Sequence, residues 1–177
     1  MWTYRGGHRP QFAVEPGPGQ ESVWDYPRPP ALVEDSRRVE VRWCPQGEGA
    51  EPILIADTRN ALRVLETASP PTFYLPPSDV RSDVLVRVPG SSYCEWKGAA
   101  AYWALTGAPA NPPVGWSYPQ PDPAYGRLRD FLSFYPGRVE CYVDSERVRP
   151  QPGGFYGGWI TDEIVGPVKG EPGTGGW

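Results

Sequence analysis

Val39-Glu40-Val41-Arg42-Trp43 alternates apolar and polar side chains at the two-residue period of a half-buried strand. The loop Pro45-Gln46-Gly47-Glu48-Gly49 follows, and Ile53-Leu54-Ile55-Ala56 reads as the hairpin partner. Further strands are predicted over residues 72–75, 83–88, 100–105, 114–118 and 138–143. Asp144-Ser145 supplies a tight turn into Arg147-Val148. Pro76-Pro77-Ser78-Asp79-Val80 is a turn with room for one helical turn. Two segments read as helical. Residues 59–66 place Leu62 and Leu65 on one face, with Asp57 or Thr58 as cap and Pro70-Pro71 as terminator. Residues 125–134 space Leu128, Phe131 and Leu132 at helical intervals. The expected fold is mainly β (a β-rich α+β class) with twisted antiparallel sheets and one or two short helices.

Composition divides the chain. Pro (24) and Gly (21) make up a quarter of the 177 residues and gather at the ends and turns. Eight Trp, ten Tyr and five Phe supply the apolar area that offsets chain entropy, so an ordered domain is expected. Residues 1–25, with the only histidine, His8, read as an irregular arm, and residues 26–149 as a single β-rich domain. Residues 150–177 are a Gly/Pro-rich tail whose regularly placed aromatics predict packing on that domain. The net charge of −4 and the lack of a basic stripe argue against a nucleic-acid partner. No apolar run approaches the roughly 20 residues of a membrane span, and no secretory leader is visible, so a cytoplasmic protein without a membrane partner is expected. Cys44, Cys94 and Cys141 are too few and too scattered for a disulfide framework or a tetrahedral metal site, which predicts no metal and no cofactor. Cys44 and Cys141 are expected in the core.

The densest chemistry lies between Tyr93 and Trp103: a thiol at Cys94, a carboxylate at Glu95, an ammonium at Lys97, four aromatic rings, and Gly98 where the chain can turn. Fifteen of the 17 basic residues are Arg, so Lys97, one of only two lysines, was not placed by abundance. An ammonium beside a thiol favours the thiolate, the nucleophilic form, and Glu95 can serve as acid or base. Equally, Cys94 can be a small buried hydrophobe, and no second histidine completes a Cys-His pair. Tyr74, Tyr93, Trp96, Trp103, Trp116, Tyr118, Tyr156 and Trp159 can line a pocket for a flat or cationic ligand, with half or more expected in the core. Asp79, Arg81 and Asp83, on one face of a strand, would form a polar triple that fixes a ligand or holds Lys97, or a solvated ion-pair face.

Several motifs occur in an order that resembles the domain of unknown function 427 family: Ile55-Ala56-Asp57-Thr58, Ala61 to Glu66, Pro70 to Pro76, and Asp79-Val80-Arg81. Cys94, Lys97-Gly98, Tyr102-Trp103, Trp116-Ser117-Tyr118-Pro119 and Phe134-Tyr135-Pro136 continue it. The resemblance covers about residues 27–149. It implies compact, tent-like sheets similar to those of methionine sulfoxide reductase B and the cereblon ligand-binding domain, here without zinc because no Cys-x-x-Cys pair is present. Glu95-Trp96 in place of Pro and an aromatic, and Tyr93 in place of His, mark a distinct subgroup. A nucleotidyltransferase label attached to the family requires paired acids about ten residues after a Gly-Ser. Here the first Asp after Gly90-Ser91 is Asp122, so that chemistry is rejected.

Three function classes follow. The first is a small-molecule-binding domain with an aromatic-lined pocket, its ligand contacts drawn from Tyr74, Asp79, Arg81, Tyr93, Trp96, Trp103, Trp116 and Tyr118. The second is a cofactor-free enzyme using Cys94, Lys97 and Glu95. The third is an interaction module whose aromatic tail docks on a partner or on a second copy, giving a homodimer.

Overall fold

The computed structural model describes residues 2–45, 49–108 and 112–177. The loop residues Gln46, Gly47 and Glu48 lie outside the described residues. Three antiparallel sheets build the body. One has the order Leu85–Val88, Ala101–Leu105, Gly115–Ser117, Leu132–Phe134. A second runs Ile53–Thr58, Val39–Trp43, Glu140–Val143, Glu146–Arg147. The third is Ala31–Asp35, Ala61–Leu65, Thr72–Tyr74. The chain is therefore mainly β, as the alternating pattern predicts.

The hairpin of Val39–Trp43 with Ile53–Thr58 pairs Val41 with Ala56 and Arg42 with Leu54, across a register shift at Val41/Arg42. Asp144 and Ser145, both at positive φ, turn Glu140–Val143 into Glu146–Arg147. Val39, Val41, Ile55, Phe73, Leu75, Phe134 and Trp159 are almost completely buried in one core. Trp159 stacks on Phe73 at 4.9 Å and donates from Nε1 to the Phe134 carbonyl at 3.0 Å.

Both predicted helices are corrected. Residues 59–66 hold a strand, Ala61–Leu65, central in its sheet and paired on both sides. Leu62 and Val64 enter the core on one face, while Arg63 on the other reaches Asp35 (3.1 Å) and Glu21 (3.2 Å). Asp57 is not a cap: it lies in a strand and holds Arg38 at 2.6 Å. Thr58 instead accepts from the Asn60 amide and donates to Asp79, which tightens the turn between two strands. Residues 125–134 divide into a 3₁₀ segment, Pro123–Leu128, and the strand Leu132–Phe134. Asp122 caps the former through the Ala124 amide, and Asp130, at φ 62°, breaks any helical continuation.

Residues 82–84 also form a 3₁₀ turn, so the strand expected from Asp83 begins at Leu85. Cys44, expected in the core, is exposed, whereas Cys141 is buried.

The two ends of the chain meet. Glu21–Ser22 pairs in parallel with Ile164–Val165, and Arg149–Pro150 pairs with Trp159–Ile160. Trp24 is wholly buried among Tyr4, Phe12 and Trp177, with ring centroids 5.1–5.2 Å away, and its Nε1 donates to the Pro167 carbonyl. This clasp carries Trp2 and Lys169 to one cleft. No described helix is long and apolar enough to cross a membrane.

Candidate functional site

The segment Tyr93 to Ala99 is a small hairpin. Tyr93–Cys94 pairs with Gly98–Ala99, and Glu95-Trp96-Lys97 form the turn. Gly98 sits at φ 91°, a conformation that costs glycine little and other residues more. The turn is fastened by the Asp122 amide donating to the Lys97 carbonyl and by the Ser91 hydroxyl donating to the Ala100 carbonyl. Lys97 is thereby turned inward and is 7% exposed.

The hairpin borders a cleft of about 720 Å³, within the range of organic ligand sites. Its aromatic wall comes from three strands. Tyr102 and Trp116 lie on neighbouring strands of one sheet, Tyr74 on an edge strand of another, and Tyr118 follows the strand of Trp116. Trp116 donates from Nε1 to the Tyr74 hydroxyl at 3.2 Å and packs on Tyr135 at 4.5 Å. The Arg138 guanidinium lies 4.1 Å over Tyr135. Gly157 lets the tail cross this wall: a Cβ there would lie 2.2 Å from the Trp116 ring. The N-terminal arm closes another side, where Trp2 donates from Nε1 to Glu95 at 2.8 Å.

The polar interior is a cluster of the Cys94 thiol, the Tyr74 and Tyr118 phenols and the Lys97 ammonium, which lies 5.9 Å over the Tyr118 ring. Burial opposes a charge on Lys97, but Tyr74, Cys94 and Glu66 outweigh it and hold the amine above the ordinary lysine range. Burial pushes the Tyr74 and Tyr118 phenols up. Among the described residues no carboxylate lies within 4.0 Å of the Lys97 ammonium. The Trp96 indole Nε1 is also buried with no hydrogen-bond partner. A fixed cation thus lines an aromatic cavity, an arrangement that can hold an anionic group attached to a flat body.

The sequence-derived candidates separate. Tyr74, Tyr93, Cys94, Glu95, Trp96, Lys97, Trp116 and Tyr118 all line the cleft, although Tyr93 is 79% exposed. Glu95 is engaged with the Trp2 indole. Trp103 lies elsewhere: strand alternation turns it away from Tyr102, against the main core, where Nε1 donates to Ser117. Asp79 and Arg81 are also outside the cleft. They sit by 3₁₀ turns and not on one strand face, so the expected triple does not form. Asp79 accepts from Thr58 at 2.6 Å, and this bond holds its carboxyl below the usual range; Arg81 pairs with Asp83 on the surface.

Sequence reasoning missed Trp2, Glu66, Tyr102, Tyr135, Arg138 and Lys169 as cleft residues. For Lys169 the signal was present: the scarcity that singled out Lys97 applies equally to the only other lysine. Among the described residues, no three His, Cys, Asp or Glu side chains form a group that could hold a metal ion.

A family profile described as a domain of unknown function (DUF427) matches residues 31–145, more than half of the chain. No curated protein matches it.

Proposed function

Starting from the domain of unknown function 427 family, to which this chain belongs, we propose that the protein binds a small organic anion with a flat, apolar body in the cleft beside the 93–99 hairpin. The observation that carries this reading is Lys97, a buried ammonium with no carboxylate within 4.0 Å among the described residues. A buried charge is costly unless it is paired, and an incoming carboxylate or phosphate would pair it. Trp116, Tyr74 and Tyr118 offer faces and edges for a ring. A cavity of about 720 Å³ accommodates a ligand of metabolite size.

The test is a panel of aryl carboxylates and aryl phosphates, read by calorimetry against neutral amides of the same shape. Saturable binding of the anions in preference to the amides is expected. Equal binding of both, or of neither, overturns the reading.

Cys94 beside Lys97 keeps a second reading in view, that of a thiol nucleophile in the same cleft. Rapid stoichiometric alkylation of Cys94 at neutral pH supports it, and a Cys94 no faster than free cysteine sinks it.

A further inference from the structure

Anion binding accounts for Lys97 and leaves the chain's other lysine without a role. Lys169 is 3% exposed and lines the same cleft. Its main chain is pinned on both sides: the Lys169 amide donates to the Ala68 carbonyl, and Gln151 Nε2 donates to the Lys169 carbonyl, both at 2.7 Å. The amine is therefore carried by fixed backbone. Its Nζ lies 3.9 Å from the centre of a Trp2 ring and 5.2 Å from that of Tyr156. Among the described residues no carboxylate comes within 4.0 Å of it. The Arg28 guanidinium, 4.4 Å over Trp2, places a second cation on the same indole.

Burial pushes the Lys169 amine below the ordinary lysine value, and Arg28 adds to this against the opposing pull of Glu66 and Glu95. The two lysines of one cleft are thus displaced in opposite directions, Lys97 towards the ammonium and Lys169 towards the free amine. Divergent environments for like groups are how one site divides a charged role from a reactive one. A desolvated lysine beside another cation is a recurrent carbonyl nucleophile.

We infer that Lys169 forms a Schiff base with a flat aldehyde whose acidic group is the one taken by Lys97. This rests on the anion-binding reading of the cleft. The Lys169 nitrogen attacks the carbonyl carbon, and one amine proton passes to the oxygen to give a carbinolamine. Loss of the remaining amine proton and the hydroxyl as water leaves the imine. No electrons are gained or lost, and no co-reactant beyond the aldehyde is needed.

The experiment uses the full chain with 4-carboxybenzaldehyde and cyanoborohydride, read by intact mass and peptide mapping, alongside calorimetry of wild-type protein with benzoate. The expected result is a single reduced adduct at Lys169 that disappears in Lys169→Arg. Excess benzoate should slow that adduct and leave labelling of the α-amine unchanged, a control that needs no variant. An adduct chiefly at the α-amine or Lys97, an undiminished adduct in Lys169→Arg, or equal slowing at both amines overturns the inference. Benzoate binding without a Lys169 adduct removes the covalent step alone. Absence of both removes the anion-binding reading with it.

Discussion

The passage of the tail across Trp116 makes Gly157→Ala the sharpest structural perturbation of the cleft. The added methyl would lie 2.2 Å and 2.6 Å from two Trp116 ring atoms, where carbon contacts favour about 3.5–4.0 Å. One partner must therefore move by more than about 1 Å. Trp116 is poorly placed to yield: it is 8% exposed, hydrogen-bonded to Tyr74 and packed on Tyr135. The tail is tethered immediately afterwards, with the Gly158 amide donating to Gln151 and the Trp159 amide to the Pro71 carbonyl. Overpacking of this kind costs about 1–3 kcal/mol. At about 2–4 °C per kcal/mol for a domain of this size, a cost of about 2 kcal/mol lowers Tm by about 4–8 °C. Thermal melts followed by circular dichroism measure it. Gly126→Ala is the control, because a Cβ there meets nothing within 4 Å, and it should melt within about 2 °C of wild type or slightly above. A Gly157→Ala protein that melts with the control would refute the crossing of tail and ring.

Trp159→Ala removes a fully buried indole, its stack on Phe73 and its bond to Phe134, and should cost about 3–5 kcal/mol in denaturant titrations; a loss under about 1 kcal/mol contradicts the core described. Burial opposes the charge on Asp35, but Arg37 and Arg63 outweigh it and hold the carboxyl below its ordinary value. Its stabilisation is therefore complete above the unfolded-state value near 4 and fades as pH falls towards the lower folded value. Asp35→Asn should be less stable at neutral pH and lose less between about pH 5 and 2; parallel pH profiles would count against this pairing. In native alkylation Cys44, exposed although burial and Glu140 push its thiol up, should react faster than Cys141, which is buried and held well above the ordinary thiol value, and benzoate should slow labelling of Cys94 but not of Cys44.

The strands were legible where apolar and polar side chains alternate, as at Glu140–Val143 and at Val39–Trp43, where the buried Glu40 keeps the alternation by pairing with Arg38 and Arg42. Ala61–Leu65 was not, because a central strand with partners on both sides keeps Ala and two Leu, which are also good helix formers. Pro123–Leu128 carried an Asp-Pro start signal, but its extent depended on Asp130, whose left-handed conformation is a tertiary outcome. The hairpin half of the cleft was readable from rare residues crowded into eleven positions. The other half, Trp2 and Lys169, is assembled from distant segments by the clasp of the two termini, and no local pattern encodes that.

Calorimetry of benzoate with wild type and with Lys97→Met tests the central claim most directly, since Met keeps the stem and removes only the charge. A charge-assisted hydrogen bond contributes about 1.5–3 kcal/mol, so the variant should bind about tenfold or more weakly while melting close to wild type. Equal affinity in the two proteins would contradict the account.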